Sequence, residues 1–134
     1  MAQTARRFED LVAWRKAREL TREIYVVTRE PKFARDFGLS GQIQRSSVSI
    51  MANIAEGFER KRRAEFHQFL SVAKSSCAEV RSHLYVALDV GYVTEEHFER
   101  LMELAAETGR VIGGLRAAVE RGISELRTQN SELE

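Results

Sequence analysis

The 134-residue chain contains one cysteine and one proline. A single cysteine excludes an internal disulfide and a zinc site built on cysteines. It fits a reducing compartment, so a cytoplasmic location is expected. No uninterrupted apolar run approaches the roughly 20 residues a membrane span needs. The opening MAQTARRF carries charge but no apolar core of a signal peptide, and reads as a short flexible arm; no membrane partner is expected. Charge of one sign is also lacking. Lys+Arg number 21 against Asp+Glu 20, a net charge of +1. Bulk charge therefore predicts no polyanion partner, and any such binding has to come from a local patch. There is no glycine-rich phosphate loop, no pair of Glu-x-x-His motifs for a di-iron bundle, and no Ser–His–Asp arrangement that can be argued. Neither an enzyme nor a cofactor nor a metal site is expected.

What is present is a globular balance, 43% hydrophobic and 31% charged, in a length that suits one domain over residues 1–134. The scarcity of proline favours long helices. Ala13, Ala17, Leu20, Ile24 and Val27 recur at helical spacing, and Pro31 disfavours helical geometry at Glu30, so a first helix is predicted over 9–30. Residues 31–39 read as the longest connection. Ser40 then caps a second helix over 40–57, with Gly57 as a left-handed stop. Phe66, Leu70, Ala73, Cys77, Val80, Leu84 and Ala87 mark a third helix over 62–91, ended by Gly91. Thr94 caps a fourth over 94–127, with Glu95 and Glu96 where the helix dipole favours acids. Gly109, Gly113 and Gly114 weaken that helix or mark the close approach of another backbone. Cys77 falls in the core stripe and reads as a small hydrophobe. Glu79 and His83 read as a solvent-facing pair. The expected fold is all-α, an antiparallel up-down four-helix bundle.

The second helix is apolar over an unusually wide arc. Ile43, Ser47, Ile50, Ile54 and Phe58 make one face; Val48, Met51, Ala52 and Ala55 make another. Such a helix either lies centrally or meets another subunit. The second expectation is preferred, because the helix is short and every bundle helix is otherwise peripheral; Val48, Met51 and Ala55 would then line an oligomer interface. Asn53 and Glu56 share one side of the helix. They read as a small acid/base or binding site or, preferably, as a buried polar network, with Glu56 paired to an arginine.

Residues Arg60, Lys61, Arg62 and Arg63 form the densest charge cluster, with Arg6 and Arg7 as a smaller one. Two readings stand: phosphate contact, or a solvated turn before the third helix. Cations beside a helix N-terminus oppose its dipole, which favours a function. No aromatic interleaves the run, so stacking on single strands is not indicated there. Glu96, Glu99, Glu103 and Glu107 line one side of the fourth helix opposite the arginines of the first, either as facing stripes or as two solvated faces.

Four segments carry a family resemblance: FEDLVAWRKARELTREIY (8–25), GLSGQIQRSSVSIMANIAEG (38–57), EFHQFLSVAKSSCAEV (65–80) and ALDVGYVTEEHFERL (87–101). They resemble the bacterial four-helix bundle proteins encoded in intervening sequences of 23S ribosomal RNA genes, related to the accessory protein of diversity-generating retroelements. ANIAEG, with Glu65 and Phe66 after it, is the most specific part. The resemblance implies a ring-shaped homo-oligomer, most simply a pentamer, binding to RNA or DNA through a basic surface, and a reverse transcriptase as partner in the retroelement relatives. It implies no catalytic activity. The chain departs from the pattern at Met51, where the family commonly has proline; Met51 lets the helix run straighter. The function expected is a non-enzymatic bundle that binds structured RNA or an RNA/DNA intermediate through residues 60–63, with Arg6 and Arg7 as helpers. The alternative is a protein-docking scaffold that uses the second helix face or the acidic side of the fourth helix.

Overall fold

The computed structural model describes residues 5–122. Five helices follow a 3-10 turn at Phe8–Asp10: α1 (Val12–Val27), α2 (Pro31–Arg35), α3 (Phe37–Glu59), α4 (Arg63–Asp89) and α5 (Glu95–Arg121). The four long helices form a closed ring of neighbours, α1 on α3, α3 on α4, α4 on α5 and α5 on α1, with α3–α4 the largest interface. Side-chain bonds give the register. Gln44 Nε2 donates to Thr28 Oγ1 at 2.9 Å and Thr21 Oγ1 donates to the Ser47 carbonyl at 3.0 Å, so α1 and α3 are antiparallel. Arg116 reaches Ser71, and Glu120 reaches His67, so α4 and α5 are antiparallel too. The all-helical up-down bundle is the one predicted.

The apolar stripes meet in one core. Leu20, Ile24, Ile43, Ile50, Ile54, Leu70, Val80, Leu84, Ala105 and Ile112 are wholly buried. The buried hydroxyls are compatible with that core because each has a partner, either a nearby backbone carbonyl or, for Ser46 and Ser76, a side chain across the α3–α4 seam. Thr28 donates to Ile24 at 2.9 Å and Thr108 to Leu104 at 2.8 Å. Among the described residues no buried side-chain nitrogen or oxygen lacks a partner.

The boundaries differ from expectation in three places. Helix α1 stops at Val27 rather than 30, as Thr28 turns its hydroxyl back onto Ile24 and Tyr25. The connection over 31–39 holds a helix of its own: Pro31 sits at the first position of α2, where its missing N–H and fixed φ are suited. Phe33 of α2 is wholly buried and stacks on Tyr92 with centroids 5.1 Å apart, worth roughly 2 kcal/mol by burial alone. The cap of α3 is Asp36, not Ser40. The Asp36 carboxylate accepts from the Leu39 N–H at 3.0 Å, and the buried Ser40 hydroxyl donates to the Asp36 carbonyl.

Gly57 does not stop the helix. Helix α3 runs on to Glu59, unbroken past Met51. Gly57 is buried instead, and a Cβ added there would fall 2.6 Å from Cβ of Phe69 and 3.0 Å from Cδ1 of Phe66. It is a contact glycine between α3 and α4. The left-handed residue at this junction is Lys61, with φ of 63°. By contrast Gly91, at φ 83°, ends α4 as expected, with the Tyr92 N–H returning to the Ala87 carbonyl at 2.8 Å. Thr94 caps α5 through the His97 N–H at 3.1 Å. The expected tail of the fourth helix, Leu126 included, lies outside the described residues, as do residues 1–4.

Gly57→Ala is expected to destabilise the fold by about 1–2 kcal/mol in urea melts, because overpacking outweighs the gain in helix propensity. Gly109→Ala, whose new Cβ would lie an ordinary 3.8 Å from Cys77 Cβ, is expected to stabilise by about 0.5–1 kcal/mol. Equal signs for the two overturn the contact assignment. Asp36 also accepts from the Tyr92 hydroxyl at 2.9 Å. Its carboxyl is held below its ordinary range, first by the Leu39 N–H and then by Tyr92. A depressed carboxyl contributes stability that is complete above its unfolded pKa and is lost as pH falls through the folded one. Asp36→Asn should be less stable near neutrality, and its deficit should shrink between about pH 5 and about pH 2; a constant deficit excludes the link.

Candidate nucleic-acid interface

The antiparallel register brings both basic clusters to one end of the bundle. Pairing Thr28 with Gln44 and Thr21 with Ser47 carries the start of α1 toward the C-terminal end of α3, and the 3-10 turn packs on α3. A Cβ at Gly122 would lie 3.4 Å from Arg63 Nη1, so the end of α5 arrives there too. Residues 60–62 form the tight turn between α3 and α4, Arg63 opens α4, and all four are exposed.

Their charge is partly offset. Arg60 reaches Glu56 at 3.3 Å and Glu65 at 3.5 Å, and its guanidinium lies 5.3 Å over the Phe69 ring. Arg62 reaches Glu65 at 3.6 Å but keeps 80% of its side chain exposed. Lys61 lies 5.7 Å over the Phe58 ring. Among the described residues neither Lys61 nor Arg63 has a carboxylate partner. Exposed pairs of this geometry are worth well under about 1 kcal/mol and exchange readily. Arg7 is more committed, with Glu9 at 3.9 Å and Asp10 at 3.7 Å. Asp10 also accepts from the Arg6 and Arg7 amides at 3.0 and 3.2 Å, and these bonds, the Arg6 amide first, hold its carboxyl below the ordinary range.

The structure separates Asn53 from Glu56. Asn53 is half-buried and donates to the Ser49 carbonyl at 2.7 Å and to its hydroxyl at 3.0 Å; Ser49 in turn meets Ser76 of α4 at 3.1 Å. Glu56 is no member of that network. It is more than half exposed and belongs with Arg60 on the charged turn. The separation has a simple cause: the network points along the α3–α4 seam, whereas Glu56 sits one turn nearer the open end. Val48 is 40% exposed, Met51 packs on the core and Ala55 is half-buried. Thus Met51 serves mainly its own core, while Val48 and the exposed Ala52 remain outward.

The acidic side of α5 joins α1 through an ion pair from Lys16 to Glu107 and another from Arg100 to Glu23 at 3.0 Å. The second runs opposite to the expected stripe polarity. A cavity of about 320 Å³ lies between these helices, lined by Glu19, Glu23, Glu103 and Glu107 with Leu101 and Leu104, and by Arg100 as its one cation among the described residues. Cys77 is buried, and that burial pushes its thiol up to about 11. His67 meets Glu120 at 3.0 Å and His97 meets Arg100 at 3.2 Å. No group of histidine, cysteine and acids suited to a metal occurs among the described residues, and no helix there is long and apolar enough to cross a membrane.

A second set of cations emerges only from helix pairing. Lys74 and Arg81 of α4 and Arg110 of α5 line one groove, with Arg116 further along it. The seven-residue spacing of Lys74 and Arg81 was the one signal in the sequence, since it places both on one side of a helix. Arg110 could not be joined to them without the α4–α5 register.

A ring of four antiparallel helices with a charged turn at one end defines a small all-α bundle protein. The sequence pattern of the 23S rRNA-intervening sequence protein family matches residues 9–114, and the chain belongs to that family. Among solved structures, it is similar to a protein of unknown function from the S23 ribosomal protein family of Bacteroides thetaiotaomicron, with 27% identity and a TM-score of 0.69. That likeness covers 75% of this chain and 94% of the other. No curated protein matches the chain significantly.

Proposed function

We propose that this protein is a non-enzymatic, self-associating helical bundle of the cytoplasm that binds nucleic acid, structured RNA or an RNA/DNA intermediate, through the turn between α3 and α4. The observation that carries the reading is Lys61. A lysine stands at φ 63°, where glycine would be cheaper by about 1 kcal/mol. Its neighbours Arg62 and Arg63 are exposed beside it. Strain retained in a cationic turn supports a role for the charge. The weak ion pairs with Glu56 and Glu65 can yield to phosphates, which can engage a guanidinium through two parallel N–H bonds. The family name, with its reference to an rRNA intervening sequence, supports the same class of ligand.

Replacing Arg60, Lys61, Arg62 and Arg63 together by alanine is expected to lower affinity for an RNA hairpin at least roughly tenfold and to flatten the log–log salt slope by about 2–3. Lys61→Gly separates charge from strain: it should raise stability by about 1 kcal/mol while weakening binding. Unchanged affinity and slope in the four-alanine variant sink the proposal. They would favour the scaffold alternative, for which the acidic α1–α5 cavity is the specific support.

Self-association through the Val48 side of α3 is the second part of the reading. It rests on an exposed valine beside the exposed Ala52, on a helix already filled on its core side. Light scattering at micromolar concentration should give a multiple of the chain mass, reduced by Val48→Glu. A monomeric wild-type chain ends this part.

A further inference from the structure

From the α4–α5 groove we infer a second nucleic-acid contact, one that takes a single strand. The inference rests on the nucleic-acid reading above but on different residues. Lys74 and Arg81, two turns apart and so roughly 10 Å apart along α4, stand on one wall. Arg110 stands on the other. Among the described residues neither Lys74 nor Arg81 has a carboxylate partner. Among the described residues Arg110 is held only by an exposed pair to Glu103 at 3.4 Å, an interaction of little energy in water. The groove has a volume of about 140 Å³. Its floor is low because Ala78, Ala106 and Gly109 lie between the cations. A strand can therefore approach the backbone while three long cationic side chains close on its phosphates.

Two further features give the groove direction. Toward the charged turn, Arg116 Nη1 donates to Ser71 Oγ at 3.2 Å, extending the line of cations toward Arg63. Toward the other end, one turn past Arg81, Tyr85 keeps 53% of its surface exposed although its ring meets Phe98 edge to face at 5.0 Å. The Phe98 contact fixes the ring and leaves much of it open, a platform for one base. An aromatic in line with clustered cations is the pattern that favours single strands, since a duplex already stacks its own bases. This is the interleaved aromatic that residues 60–63 lack.

The test uses the full chain, a fluorescein-labelled 12-nucleotide oligouridine and an RNA duplex of the same length, titrated at several salt concentrations. Lys74→Ala with Arg81→Ala should weaken oligouridine binding roughly tenfold and flatten the salt slope by about 1.4, two single-strand contacts. Tyr85→Ala should weaken it roughly tenfold without moving the slope, and Tyr85→Phe should restore it, since stacking needs the ring and not the hydroxyl. A wild-type chain that binds neither probe removes the whole nucleic-acid reading. If the wild type binds and the four-alanine turn variant weakens, while the groove variant is unchanged, the groove assignment alone falls. Tighter duplex binding that is indifferent to Tyr85→Ala also overturns it.

Discussion

Helix α4 begins in close contact with the last turns of α3. Phe66 and Phe69 lie against the bare backbone of Gly57, so close that a single Cβ would collide. Small hydroxyl residues continue the seam: Ser49 meets Ser76, and Ser46 reaches Glu79. Close approach leaves only a few residues to reverse the chain. That short reversal forces a left-handed backbone at Lys61. The tight seam, the strained turn and the exposed cations are thus one arrangement, and loosening the first removes the reason for the others.

The opposite end of the bundle is joined differently. There the chain has room for α2, and Phe33 and Tyr92 fill the space between the helix ends. Asp36 ties the two connections together, capping α3 with one oxygen and accepting from Tyr92 with the other. One carboxylate thus serves both the cap of α3 and the connection between α4 and α5.

Charge in this protein is balanced overall but sorted by helix pairing. The α1–α5 side collects acids around an open cavity, and the α4–α5 side collects cations around a shallow groove. Local pairs trim both: Glu65 and Glu56 moderate the turn, Glu103 moderates Arg110. Glu65, in the first turn of α4, also offsets the unfavourable placement of cations at a helix N-terminus. A net charge near zero is therefore compatible with a surface whose fields differ strongly from side to side.

Periodicity alone determined the four long helices and nearly all of their core faces, because one buried stripe at a 3.6-residue repeat is a local property of the chain. It also determined the Gly91 stop, the Thr94 cap and the basic run. The tertiary structure decided what depends on a neighbour. Gly57 has the composition of a helix stop, but two phenylalanines from the next helix made it a packing residue. Residues 31–39 looked like a loop, since a five-residue helix has too few turns to show a stripe, and only the space under Tyr92 orders Phe33. Asn53 and Glu56 share a helix side, yet burial falls off toward the open end and split them into a seam contact and a surface pair. The α4–α5 groove is the clearest case: its cations come from helices about thirty residues apart in sequence, and no local pattern reports which faces two antiparallel helices turn toward each other.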